Sequence, residues 1–146
     1  MKNESVKIIF LDIDGVLCTT RSQIAFGPRK WDQVACGLIK NICKYCDYKI
    51  VCSSSWRFDK EGAKAFFEDY GLNKFLHPDW TTVLKELENR GQEIQQWIDI
   101  HNVDDCLIID DNRDMLESQM DRLILTNPKN GLTTENYEKM VKLLKL

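Results

Sequence analysis

An apolar run over residues 6–11 stops on two carboxylates, Asp12 and Asp14, and a glycine, Gly15, follows at once. The run is short and β-branched and does not alternate with polar residues, so residues 6–12 read as a strand buried on both faces. A strand of that kind belongs inside a parallel sheet with helices on either side, which narrows the fold class sharply. Side chains two residues apart on a strand point the same way, and Gly15 permits a sharp turn directly after them. Asp12 and Asp14 are therefore expected to crowd together where the strand ends. Two carboxylates that close repel, and one takes up a proton unless a cation relieves them. A pair so costly to stability reads as a site.

The rest of the chain repeats the arrangement. Residues 48–52 form a second apolar strand that runs into Ser53, Ser54 and Ser55, and residues 106–109 form a third that runs into Asp110 and Asp111. Residues 123–125 read as a last short strand, and 75–79 as a strand or a connector weakened by Pro78. Between them lie helical stripes. Residues 31–46 carry Val34, Leu38, Ile42 and Tyr45 at helical spacing. Residues 60–70 carry Ala63, Phe66, Phe67 and Tyr70 and stop at Gly71. Helical periodicity returns from residue 83, then over 92–100 with Ile94, Trp97 and Ile98 on one face, and again over 134–144. Residues 16–30, with Gly27 and Pro28, read as irregular.

Strands alternating with helices imply right-handed crossovers and a three-layer α/β/α Rossmann-like domain around a central parallel sheet, residues 1–146 forming one unit. Ligands of such sheets bind at the carboxyl ends of the strands. Those ends carry Asp12 and Asp14, Ser53, and Asp110 with Asp111, so three strands deliver acids and a hydroxyl to one edge.

Bulk properties remove several alternatives. Hydrophobic residues make up 43% and charged residues 29%, the balance of an ordinary soluble domain. No apolar stretch has the length of a membrane span, and residues 1–5 lack the apolar core of a signal peptide, so the expected location is the cytoplasm with no membrane partner. A net charge of -3 argues against a broad nucleic-acid-binding face but leaves room for a local basic rim. Cys43 and Cys46 form a C-x-x-C with Cys36 one heptad earlier, yet neither a second pair nor a histidine cluster completes a zinc site. The six cysteines, with Cys18, Cys52 and Cys106, read as reduced thiols packed like small hydrophobes.

Carboxylates gathered from separate strands make a hard-oxygen site suited to Mg2+. A cation there relieves the repulsion and neutralises charge on a phosphoryl group. One carboxylate can attack phosphorus, and a second can donate a proton to the leaving oxygen and later take one from water.

Phe10-Leu11-Asp12-Ile13-Asp14-Gly15-Val16-Leu17 resembles the first motif of the haloacid dehalogenase superfamily of phosphotransferases. The resemblance implies Asp12 as nucleophile and metal ligand, and Asp14 as acid/base with its backbone carbonyl on the metal. An acid at the second position marks the phosphatase branch. Ile50-Val51-Cys52-Ser53 looks like the second motif, whose hydroxyl binds phosphate. Asp110-Asp111 looks like the fourth, completing the Mg2+ shell, with Asp114 a further acid of that motif. The third motif is one Lys or Arg before or at the start of the helix that precedes the fourth-motif strand; Arg90 fits best and Lys85 is its rival.

Relatives in that superfamily mostly carry a cap domain, and here neither interval that holds one is long enough. An open site serves bulky substrates by analogy. Ser53-Ser54-Ser55-Trp56-Arg57, the helix entry Arg90-Gly91-Gln92-Glu93-Ile94 and Asn130-Gly131-Leu132-Thr133 are similar to small capless members associated with RNA repair. That similarity implies a nucleic-acid 3′-phosphate end as candidate substrate, with Gly15, Ser54 and Arg57 joining Ser53 in binding it. Arg21, Phe26, Arg29, Lys30 and Trp31, together with Trp56 and Arg57, either grip phosphates and bases or pack as anchors beneath solvated charges. Cys18 is expected to pack, and His77 to be structural. Other readings stand beside this one: a nucleotide or small-metabolite phosphatase with a lid supplied by oligomerisation, a phosphoprotein phosphatase, and a non-catalytic phosphate-binding or partner-binding module.

Overall fold

Alternation along one strand sorts the molecule into layers. In β1 (Lys7–Leu11) Ile8 and Phe10 face one side of the sheet, while Ile9 and Leu11 face the other. The computed structural model describes residues 5–82 and 89–145. Beside β1 lie β2 (Lys49–Cys52) and β4 (Asp105–Asp110), and the outer positions are taken by β3 (Leu76–Thr81) and β5 (Leu123–Leu125). The strand order is β3-β2-β1-β4-β5, and every pairing is parallel.

On one face Ile9, Leu11, Ile50 and Leu107 pack with α2 (Gln33–Cys46), α3 (Lys60–Asp69) and α5 (Thr134–Leu143) through Ile39, Phe67 and Met140. On the other, Ile8, Phe10, Val51 and Ile108 pack with α4 (Arg90–His101) through Ile94 and Trp97, whose ring meets Phe10 edge-on at 5.6 Å. The outcome is a Rossmann-like three-layer fold. Each of those fully buried side chains contributes about 1.5–3 kcal/mol of hydrophobic stabilisation. No helix among the described residues is long and apolar enough to cross a membrane.

Two sequence expectations change, and one left open is decided. Residues 16–30 are not wholly irregular: α1 (Thr20–Phe26) forms there, closed at its start by a reciprocal pair of hydrogen bonds between Thr19 and Ser22. Residues 76–81 are a strand despite Pro78, which is tolerated because β3 lies at the edge of the sheet. The inward face of α2 is Ala35, Cys36, Ile39, Ile42 and Cys43, whereas Val34 and Tyr45 are 56% and 74% exposed.

The cysteines do pack as small hydrophobes. Cys36 and Cys43 are buried, and burial pushes both thiols up to about 12. His77 is structural too, its ring set edge-on against Trp97 at 5.0 Å. Lys85 and the helical periodicity from residue 83 lie outside the described residues. Among the described residues no cap is inserted: only α1 and α2 separate β1 from β2, and α3 with two short turns separates β2 from β3.

Candidate active site

Each strand tip is held one residue past the strand by a further hydrogen bond of the ladder. Asp12 N–H donates to Ile109 O at 3.0 Å, Ser53 N–H to Leu11 O at 3.1 Å, and Thr126 N–H to Asp110 O at 2.9 Å. The backbone from which these side chains project is therefore held by the sheet ladder itself. Asp12, Asp110 and Asp111 present carboxylate oxygens that all lie within 4.8 Å of one another. Asp12 is 4% exposed and Asp110 fully buried.

Arg90 reaches into this group from the first position of α4. Its Nη1 donates to Asp110 Oδ2 at 2.7 Å and lies 3.2 Å from Asp12 Oδ2. The start of α4 is fixed by a reciprocal cap between Asn89 and Gln92, and by Gly91 N–H donating to Asp114 O at 3.0 Å. Gly91 must be glycine for that approach, since a Cβ there would stand 2.6 Å from the Leu116 backbone nitrogen. Asp114 thus ties down the helix that carries Arg90. Its carboxylate also accepts from Arg90 N–H at 3.4 Å.

One guanidinium cannot neutralise three carboxylates. Burial, then the adjacent Asp110, push the Asp12 carboxyl up to about 8 against the pull of Arg90. Asp111 is raised in the same direction, chiefly by burial. For Arg90 burial opposes the charge, yet Asp12 and Asp110 outweigh it and hold the guanidinium above its ordinary value. Hard oxygens this close, still repelling after Arg90 has bridged two of them, fit a divalent cation such as Mg2+. Gly15 leaves the space for one of them: at φ +79°, a Cβ on it would lie 2.2 Å from Asp111 Oδ2.

The carboxylates open onto a cleft of about 350 Å3 lined by Asp12, Asp14, Ser55, Asn89, Arg90, Glu93, Asp111, Asn112, Asp114 and Met115. Asp14 is exposed on its rim, and its side chain stands apart from the three clustered acids. Ser53 has a buried hydroxyl without a partner in the protein, a polar atom left to meet something else.

Two residues expected to bind substrate are otherwise engaged. Arg57 is 6% exposed; it pairs with Glu93 at 2.6 Å and donates to the carbonyls of Ser53 and Ser54. It clamps the turn after β2 to α4. The Ser54 hydroxyl is buried and accepts from Trp56 N–H at 3.2 Å, capping the short helical turn Ser55–Phe58. Gly15 also differs from expectation, because its N–H is spent on Cys18 O. Its contribution is space and a turn.

In the segment before α2, Trp31 is fully buried while Arg21, Phe26, Arg29 and Lys30 are exposed. Cys18 is buried, and its thiol is pushed up to about 11 by burial and by Asp14, which suits packing. Glu93 was not singled out by the sequence, although it lies in the helix entry that also contains Arg90.

A parallel Rossmann-like sheet with no cap among the described residues, and with clustered acids and a basic residue at its carboxyl edge, defines a domain of the haloacid dehalogenase type, a superfamily of phosphatases and other hydrolases. The model of one family, described as the HAD domain in Swiss Army Knife RNA repair proteins, matches residues 8–137, and the chain belongs to that family. No curated protein and no solved structure matches closely enough to add to that assignment.

Proposed function

We propose that the chain is a Mg2+-dependent phosphomonoesterase that carries the phosphoryl group on Asp12 and accepts a bulky substrate, a nucleic-acid 3′-phosphate end being the candidate. The observation that carries this reading is Asp12 itself: buried at a strand tip, bridged through Arg90 to Asp110, with Asp14 exposed beside it. Asp12, Asp110 and Asp111 would hold Mg2+, which when bound would neutralise charge on the carboxylates and the phosphoryl oxygens.

In the first step an Asp12 carboxylate oxygen bonds to phosphorus as the bond to the ester oxygen breaks. Asp14, entering protonated, gives its proton to that oxygen, so an alcohol leaves and an acyl phosphate remains on Asp12. In the second step water attacks the same phosphorus and its proton passes to Asp14. Inorganic phosphate departs, and both acids return to their starting states. Arg90 and the Ser53 hydroxyl hold phosphoryl oxygens during both steps. A cleft with no cap over it among the described residues favours a bulky substrate over a small metabolite.

Turnover of an aryl phosphate with Mg2+, followed for wild type and Asp12→Asn, tests the chemistry. Asp12→Asn should lose at least about 1,000-fold in rate, and chelation of the wild-type protein should do the same until Mg2+ is restored. Full activity in either case sinks the mechanism. Rates on 3′-phosphorylated RNA, nucleotides and phosphopeptides then rank the substrates.

A further inference from the structure

We infer that Trp56 is the positioning residue for Asp14, holding the acid/base carboxyl in the one orientation from which it exchanges protons with substrate; this rests on the phosphatase reading above. Trp56 Nε1–H donates to Asp14 Oδ1 at 2.8 Å, across the gap between the turn after β2 and the turn after β1. Asp14 is exposed, and an exposed aspartate samples several rotamers unless something selects one. The indole N–H selects one, fixing Oδ1 and with it the direction of the carboxyl group.

The indole is itself held on several sides. Its ring meets Trp31 edge-on at 5.6 Å and Phe66 edge-on at 4.9 Å, and the Arg29 guanidinium lies 4.7 Å over it. Trp31 is fully buried, so the anchor of the set does not move. With a guanidinium over the ring and neighbours against it, Trp56 is poorly placed to stack on a base, the role the sequence left open to it. Its backbone is fixed as well, by the Ser54 hydroxyl at the head of the turn. The turn that presents the Ser53 hydroxyl therefore also aims the proton donor, which couples phosphate binding to leaving-group departure.

Leaving-group dependence separates positioning from general support. An alkyl phosphate cannot lose its alkoxide without a proton, whereas p-nitrophenolate leaves unaided. Trp56→Phe keeps a ring and removes the donor. Its kcat on an alkyl phosphate should fall about 10- to 100-fold, with p-nitrophenyl phosphate losing less than about 3-fold and KM little changed. In an Asp14→Asn background the same substitution should add no further selective loss.

Equal losses on both esters, or a further selective loss in that background, overturn the positioning role while leaving the phosphatase reading intact. No turnover of either ester by the wild-type protein overturns both. Should Trp56→Phe fail to fold, the indole N–H resonance of Trp56 decides: it must move on Asp14→Asn, and if it stays put the inference fails.

Discussion

Gly15→Ala adds one methyl group where the turn after β1 passes the Asp111 carboxylate. Two separable costs follow. At φ +79° an L-residue is strained by about 1–2 kcal/mol, which in a domain of this size lowers Tm by roughly 2–8 °C. The new Cβ would also lie 2.2 Å from Asp111 Oδ2 and 2.5 Å from its Cγ, so the carboxylate must retreat by roughly 1 Å or more to reach ordinary contact. Displacing one of three clustered acids should weaken Mg2+ binding by about 10- to 100-fold, as loss of a ligand's support does.

Gly27→Ala is the control. Its φ is +117°, equally foreign to a side chain, but the nearest atom to an added Cβ is Lys30 Cγ at 3.7 Å. Thermal unfolding and Mg2+ titration calorimetry on both variants give the answer. Both should lose Tm, and only Gly15→Ala should lose affinity for the ion. Equal Mg2+ affinity in the two would refute the idea that Gly15 exists to make room for Asp111.

Two further outcomes follow from the charges. Arg57→Met strands the Glu93 carboxylate and removes two carbonyl contacts, so urea unfolding should show a loss of about 3–5 kcal/mol; a loss below about 1 kcal/mol would show that the clamp is ornamental. In chelated protein, the folded-state Asp12 carboxyl sits at about 8 against 3.8 unfolded, so the folded form holds its proton longer and stability falls as pH rises between those values. Asp12→Asn should flatten that fall, measured as Tm against pH without Mg2+, and an identical slope in both proteins would count against burial of the charge.

Strand tips were legible in the sequence because each is a local event: an apolar run and then a polar residue. Asp12, Ser53 and Asp110 stand at such tips in the folded sheet. Arg90 was readable only through the resemblance, since its reach to Asp110 spans twenty residues and depends on the packing at Gly91. Helical spacing alone does not set the phase of α2, whose buried face is Ala35, Cys36, Ile39, Ile42 and Cys43. Val34 and Tyr45 are larger than Ala35 and Cys36, yet the close approach of a helix to a sheet favours the small side chains. The engagement of Arg57 was invisible for another reason. Its partner Glu93 lies 36 positions away, and nothing local distinguishes a buried arginine from an exposed one. The Trp56–Asp14 bond joins two loops and is a property of the assembled sheet alone.

The central place of β1 has a consequence for the order in which the protein is made. β2 reaches the ribosome exit soon after β1 and pairs with it along one side, bringing Ser53 beside Asp12 with no new charge. β4 emerges much later and takes the other side, and only then does Asp110 meet Asp12. The electrostatic opposition built into the site is therefore concentrated in a late docking event. A divalent cation that relieved it would act on assembly, and a nascent chain without β4 holds Asp12 but neither Arg90's bridging partner nor a complete acid cluster.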